Sequence, residues 1–413
     1  MNELTTWVRR SVCLAVWLAV AGLHGCGGSD AEPHVPALDD FRYGHVLNSA
    51  YQQSKHVLSS ASTPPSSGWS PIQFQTAYGL NLVQTVNNKP LGYGIKVAII
   101  VAYHYPNLQL DLNKFAQKFG LTPITLKIIN QAGNASNSNW ALEAGLQVQM
   151  VNTVSPGAIV YVIEAKSEGQ QDMRTAIRTA QNVGVNVVSM PFGAPEGASL
   201  DYGPPFAPVS GMVWIAASGD TGVTNFPATH PGVIAVGGTS AQLTRDNTLQ
   251  SESAWESAAA GMSSVAEMPQ FQKIPSVQEA NTTAYRSIPD VAFHADVMNG
   301  ALVYSSVNGG YLMVGGTSVS TAFFTGVVAI ANASRTAKNK PLLTSISGQG
   351  VLLQDSLYRL MSTYGGPTNS TVLNDVVDGS AGYGAYPAGP GYDIATGLGS
   401  LKVQKFIEYM DTQ

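Results

Sequence analysis

Cysteine and charge are what this chain has least of. Its 413 residues include 2 cysteines, Cys13 and Cys26. Both lie near the start, so the body of the chain cannot be stapled by the disulfides that hold many exported domains together. Only 11% of the residues are charged, against roughly a quarter in an average soluble protein. The formal net charge is −5, and no run of Lys or Arg follows the N-terminus. A basic footprint for phosphate backbones is therefore missing, and no nucleic-acid partner is expected. Burial has to supply the stability instead. Hydrophobic residues make up 44% of the chain, enough for one large core or two smaller ones. The 42 glycines point to many tight turns rather than to a helical bundle.

The N-terminus carries a local signal. Arg9 and Arg10 precede an uncharged, mostly apolar stretch from Ser11 to Leu23. At roughly 13 residues it suits a secretory signal core and is short for a membrane span. It ends in Leu23-His24-Gly25-Cys26, which resembles the lipobox of bacterial lipoproteins, in which the cysteine carries the lipid. Residues 1–25 are thus expected to be a lipoprotein signal peptide. Lipid on Cys26 would then hold an exported protein at the periplasmic or outer face of a membrane, with Gly27 pointing to the outer membrane. An ordinary secretory signal cleaved slightly later is the other reading. Residues 26–68 read as a flexible tether that closes in the Ser/Pro-rich stretch 59–67.

From Trp69 onward the texture changes. Apolar runs at 95–101, 126–129, 158–165, 185–190, 212–217 and 233–236 suit buried strands. Amphipathic or apolar segments at 110–119, 139–154 and 171–183 suit helices between them. This alternation predicts an α/β fold: one large domain, 69–413, with a doubly wound, mainly parallel sheet and helices on both faces. In such sheets chemistry gathers beyond the carboxyl ends of the strands.

Three segments carry candidate chemistry. In Val314-Gly315-Gly316-Thr317-Ser318 two glycines allow a sharp turn, after which Ser318 opens a long apolar helix. Free backbone N–H groups at a helix start stabilise an oxyanion, although a serine there is often only a cap. Glu143 and Gln147 lie four apart on one helical face; a lone Glu on a helix is ordinarily a solvated charge. Asp220, in Ser218-Gly219-Asp220-Thr221-Gly222, follows an apolar strand, where it is either an active-site acid or a turn residue bonded to its own backbone.

Together these segments resemble the sedolisins, the serine-carboxyl peptidases related to subtilisin. The resemblance runs in order through Ala77-Tyr78-Gly79-Leu80-Asn81, Phe226-Pro227-Ala228 and Val236-Gly237-Gly238-Thr239-Ser240. It continues through Ile288-Pro289-Asp290-Val291-Ala292, Gly316-Thr317-Ser318 and Gly391-Tyr392-Asp393-Ile394-Ala395-Thr396-Gly397-Leu398-Gly399. It implies a subtilisin-like fold and a serine-type endopeptidase acting on proteins or peptides, as a monomer and at acid pH. Ser318 would be the nucleophile, Glu143 its general base, and Asp220 a protonated donor to the oxyanion. The position four residues after the Glu, an Asp in the family, is Gln147 here. Ala322 stands where a Pro usually follows the serine motif, and Pro191 where a Ser is usual. A pseudopeptidase that binds peptides or partner proteins without cutting them is the alternative. The resemblance also implies one structural calcium ion, held by the carboxylates of Asp375 and Asp393 and the backbone carbonyls of Val376, Gly389 and Gly391. Subtilisin's own His-Gly-Thr motif is absent, which disfavours a Ser-His-Asp arrangement using His104 or His230.

Overall fold

Six of the apolar runs form the parallel centre of a ten-stranded sheet. In chain order they are β1 (Lys96–Ala102), β2 (Thr125–Asn130), β3 (Ile159–Ala165), β4 (Val187–Met190), β5 (Val213–Ala217) and β6 (Ile234–Leu243). They lie side by side as β2-β3-β1-β4-β5-β6, with every neighbouring pair parallel. Past β6 the sheet becomes mixed. β7 (Leu249–Ala254) pairs with β6 antiparallel, and β8 (Val291–His294) pairs with it parallel. A separate hairpin follows, β9 (Ala301–Ser305) and β10 (Gly310–Val314). Further along the chain, β11 (Asp378–Ala381) and β12 (Tyr386–Pro387) extend the β7 edge.

The coordinates, a computed structural model, describe residues 44–45, 63–196, 206, 211–345, 350–363 and 371–413. The expected signal segment, Cys26 and nearly all of the tether lie outside the described residues. Residues Leu38–Gln413 form one compact unit. Among the described residues no helix is long and apolar enough to cross a membrane.

β4 and β5 are buried at every position, because the sheet is covered on both faces where they run. Val97, Ile99 and Ile100 of β1 are likewise sealed from solvent. Each such side chain contributes roughly 1.5–3 kcal/mol of burial, which is how a chain with so few charges and no cysteine after Cys26 holds a large sheet together. β2, at the edge, is largely exposed.

The main helices are α1 (Leu108–Phe119), α2 (Ser138–Val154), α3 (Gln170–Val183), α4 (Thr317–Ala337) and α5 (Val403–Met410). α2 starts at an Asn137 cap, whose side-chain oxygen accepts from the N–H groups of Asn139 and Trp140 at 2.9 and 3.1 Å. From Trp140 to Val154 α2 has no exposed residue. It is clasped between the sheet, α4 and the β9–β10 hairpin. The two buried helices α2 and α4 therefore meet in the interior, and their contact sets the position of the site.

Beside it lies a small three-stranded sheet, with Phe192–Pro195 between Asn225–Phe226 and Gly44–His45. Gly44 pairs with Gly193 and His45 with Phe192, antiparallel. This part of the chain thus runs towards Pro191 and the end of β4.

Candidate active site

The β9–β10 hairpin delivers the chain to Gly315-Gly316, and α4 begins at once. Gly316 has φ +124, a conformation that side-chain-bearing residues rarely adopt. It is the cap residue of α4, and no side chain caps this end. Ser318 therefore does not spend its hydroxyl on capping. Its Oγ is buried and makes no full hydrogen bond, although it lies close enough to Glu143 to hold that carboxyl's pKa down, and no histidine is paired with it.

α2 supplies the facing groups. A helix buried all round must satisfy each polar side chain internally, or lose about 1–3 kcal/mol for each group left unpaired. Gln149 does so by donating to the Tyr304 carbonyl at 2.7 Å and accepting from the Tyr304 N–H at 2.8 Å. The Asn152 side-chain oxygen accepts from the Ile124 N–H at 2.7 Å, but its Nδ2 has no partner. Gln147 donates through Nε2 to Glu143 Oε1 at 3.0 Å and to the Ser318 backbone carbonyl at 2.9 Å, and its Oε1 accepts from the Ser189 hydroxyl at 2.8 Å. Glu143 is fully buried, not the solvated charge a lone helical Glu suggests, and its Oε2 has no partner.

Asp220 enters from the loop after β5. The Thr317 N–H and hydroxyl both donate to Asp220 Oδ1, each at 2.8 Å. The Thr317 Oγ1 in turn accepts from the Gly219 N–H at 3.1 Å. Gly219, with φ +120, is pressed against Asn225 so closely that a Cβ would fall 2.0 Å from its Nδ2. Asp220 Oδ2 is buried and unpartnered. Asp220 is thus fixed by the residue beside Ser318, not by its own turn.

Three unpartnered oxygens, Ser318 Oγ, Glu143 Oε2 and Asp220 Oδ2, come from three separate elements that hydrogen bonds tie to residues 317–318. Their electrostatics follow from burial. Burial pushes Glu143 up to about 8; the charge of Asp220 adds to this, while Gln147 and the nearby Ser318 hydroxyl hold it back. Burial likewise pushes Asp220 up to about 7 against the two Thr317 donors. The Asp220 charge is the smallest of the effects on Glu143.

Sequence reasoning missed Ser189 and Thr317. Ser189 is the one hydroxyl in the strand Val-Val-Ser-Met of β4, and a polar atom in so apolar a run was its available signal. Thr317 was hidden inside the serine motif. Two other polar clusters lie apart from Ser318. His104 Nδ1 pairs with Glu164 Oε2 at 2.6 Å. Asp290, from the Ile-Pro-Asp motif, is buried with Arg286 at 2.7 Å and accepts from Ala235 N–H and the Tyr358 hydroxyl, an architectural role.

The candidate metal residues come from two segments on either side of the β11–β12 hairpin. The Gly391 N–H is 3.3 Å from both Asp375 oxygens, and the Gly389 N–H donates to Asp393 Oδ2 at 3.0 Å. Asp393 also accepts from the Thr396 N–H at 2.8 Å. Burial is the first reason Asp393 is pushed up to about 6, and the neighbouring Asp375 charge adds to it. Neither acid has an ion-pair partner among the described residues. No group of three or more His, Cys, Asp or Glu able to hold a metal occurs among the described residues, so any ion here would need backbone carbonyls. Two neighbouring carboxylates without an ion-pair partner among the described residues suit a hard divalent cation.

Known proteins share this arrangement of chain. Residues 91–384 match the family model for the subtilase family, Peptidase S8. The chain is 25% identical to sedolisin from Pseudomonas sp. (strain 101) over 389 residues, covering 83% of this chain and 61% of that protein. It is 28% identical to kumamolisin from Bacillus sp. (strain MN-32) over 291 residues, covering 62% of this chain and 49% of that one. The chain thus spans less than two thirds of these relatives' length. Among solved structures, Pseudomonas sedolisin, a serine-carboxyl proteinase complexed with two molecules of pseudo-iodotyrostatin, superposes with a TM-score of 0.71 at 23% identity. That match covers 84% of this chain and 99% of the sedolisin chain. The fold and the family match together make this chain a subtilisin-like member of the subtilase family, on its sedolisin branch.

Proposed function

We propose that the chain is a serine-carboxyl endopeptidase, and that Ser318, Glu143 and Asp220 perform the chemistry. The observation that carries this reading is the trio of buried oxygens left without partners. Other buried polar atoms also lack partners, but these three combine a hydroxyl and two carboxyls that hydrogen bonds hold to residues 317–318, which supports a place that a substrate completes. Ser318 Oγ attacks the peptide carbonyl carbon while its proton passes to Glu143. The carbonyl oxygen becomes an oxyanion and receives a hydrogen bond from protonated Asp220 Oδ2. When the C–N bond breaks, Glu143 returns the proton to the leaving amine. Water then repeats the sequence on the acyl-enzyme, with Glu143 again taking the proton.

This scheme needs Glu143 ionised and Asp220 protonated, one negative charge over the pair. Asp220 at about 7 supports its role as donor below neutrality, but Glu143 at about 8 weakens the base at low pH. With Glu143 the higher of the two, a singly charged pair holds its proton mainly on Glu143, so the reactive form, Glu143 ionised and Asp220 protonated, is the minor one and substrate binding has to favour it. An extended substrate would lie on the edge of Phe192–Pro195, which already accepts one extended segment, Gly44–His45. The non-cutting alternative draws its support from Gln147, which cannot serve as a second acid.

We also propose that Asp375 and Asp393, with the carbonyls of Val376, Gly389 and Gly391, hold one calcium ion that neutralises the two acids and fixes the C-terminal loop. Export and lipid attachment at Cys26 belong to the same proposal. The test of the peptidase reading is cleavage of a mixed peptide library by the full chain from about pH 3 to 9, across the carboxylate range, beside Ser318→Ala. Cleavage by the parent but not by the variant supports it. No cleavage at any pH, with retained peptide binding, would leave the non-cutting reading.

A further inference from the structure

We propose that Ser189 is a positioning residue of this site: by fixing Gln147, it keeps a permanent hydrogen-bond donor on Glu143 and leaves that base without a titrating partner on its own helix. The proposal deepens the peptidase reading and rests on it for its catalytic consequence, but not for its geometry.

The orientation of the Gln147 amide follows from its neighbours. The Ser318 backbone carbonyl can only accept, so the group 2.9 Å from it must be the NH₂ end of the amide. The same nitrogen lies 3.0 Å from Glu143 Oε1, so its two hydrogens serve those two acceptors. Gln147 Oε1 is then directed at Ser189, whose single hydroxyl proton it accepts at 2.8 Å. Ser189, Gln147, Glu143 and Ser318 are all fully buried. Turning the amide over would set its oxygen against the Ser318 carbonyl and the Glu143 carboxyl, with its NH₂ towards Ser189.

A carboxyl at this position would behave differently. It could donate only while protonated, and with one proton could serve one of the two acceptors. Once ionised it would repel both the Ser318 carbonyl and Glu143. Gln147 donates to both at every pH. Glu143 Oε1 is thereby held, leaving Oε2 as the free oxygen for proton transfer. The charged group facing Glu143 from the packed elements is Asp220, from the loop after β5; β4 and the start of α4 present Ser189 and Ser318. The pH response of the base is then set by Glu143 and Asp220 without a third acid.

The test uses the full chain and reads two quantities. The first is the Glu143 carboxyl titration by 13C NMR of glutamate-labelled protein, assigned by its loss in Glu143→Gln. The second is the pH profile of kcat and KM. Ser189→Ala is expected to move the Glu143 titration upward and to lower kcat by about tenfold, the rate equivalent of one buried hydrogen bond, with KM little changed. Ser189→Thr restores the hydroxyl and is expected to recover both. Gln147→Glu keeps the shape but adds an acid, and is expected to add one ionisation to the profile. A Ser189→Ala titration and kcat indistinguishable from the parent would overturn the proposal, as would a Gln147→Glu profile identical to the parent's. Should the parent cleave nothing, a shifted Glu143 titration in Ser189→Ala still supports the positioning role while the peptidase reading falls. An unshifted one overturns the positioning role by itself.

Discussion

Gln147 and Ser318 are joined by a hydrogen bond of 2.9 Å from a side-chain amide on α2 to a backbone carbonyl on α4. The helix that carries the proposed base is thus tied to the helix that carries the proposed nucleophile, at Ser318 itself. Any tilt of α4 against α2 is felt directly at the site.

That coupling can be strained from a distance. Gly326 on α4 touches Val154 on α2, and a Cβ at 326 would fall 2.6 Å from the Val154 Cβ. Gly326→Ala is expected to push the helices apart and cost about 1–3 kcal/mol, the usual range for overpacking. Urea unfolding should show the loss, and kcat should fall more than stability alone explains.

Asp220 offers a sharper contrast. In Asp220→Asn the amide oxygen can keep both Thr317 donors, while the NH₂ group takes the place of the unpartnered Oδ2. This variant is expected to retain peptidase activity and to lose the high-pH fall that comes from ionisation of Asp220. Asp220→Ala removes the donor and is expected to lower kcat by about 10²–10³-fold. Steady-state kinetics across pH separates the two.

Stability should depend on pH in a stated direction. Glu143 is raised from 4.5 to about 8, and Asp220 from 3.8 to about 7. Between the unfolded and folded values the native state binds more protons, so these groups stabilise the fold fully at low pH. Their contribution is lost as pH rises through the two folded values. Thermal unfolding across this window should show Tm falling with rising pH, and Glu143→Gln should flatten the fall.

The sheet was legible because its strands are buried on both faces and therefore read as continuous apolar runs. The six runs from 95–101 to 233–236 overlap β1 to β6, with shifts at their ends. α2 was legible as a helix but not in its surroundings. Periodicity could not show that Glu143 lies in the interior, because the hairpin that covers this helix comes some 150 residues later (Gln149 bonds Tyr304, 155 residues away). The motifs placed Ser318, Asp220 and Glu143. They did not reveal the Ser189–Gln147 bond, which depends on a register between β4 and α2 that local patterning does not encode.

If calcium is bound as proposed, its removal should act on the C-terminal loop. Leu398 N–H bonds the Asp290 carbonyl at 2.9 Å, and Ala292 N–H bonds the Gly399 carbonyl at 3.0 Å, so this loop is laid against β8. Chelation is expected to lower Tm and to expose the chain near Asp375 to proteolysis. Asp393→Asn should lower Tm in calcium and blunt the response to chelator, which differential scanning calorimetry would register.

The edge of Phe192–Pro195 holds Gly44–His45, so an extended peptide cannot pair there at the same time. Replacing both residues with proline removes two backbone donors without touching the site. The double variant is expected to bind a fluorescent extended peptide more tightly, and to show a lower KM if the chain cleaves it. Equal affinity in parent and variant would mean that the segment does not compete.

The most direct test of the central claim is covalent labelling of Ser318 in the full chain with a peptide aldehyde, trapped and located by peptide mass spectrometry. Labelling is expected to follow a bell-shaped pH dependence, to vanish in Ser318→Ala, and to fall sharply in Glu143→Gln. An adduct that persists in Ser318→Ala, or no adduct at any pH in a folded protein that binds the probe, would contradict the assignment of Ser318 as a nucleophile activated by Glu143.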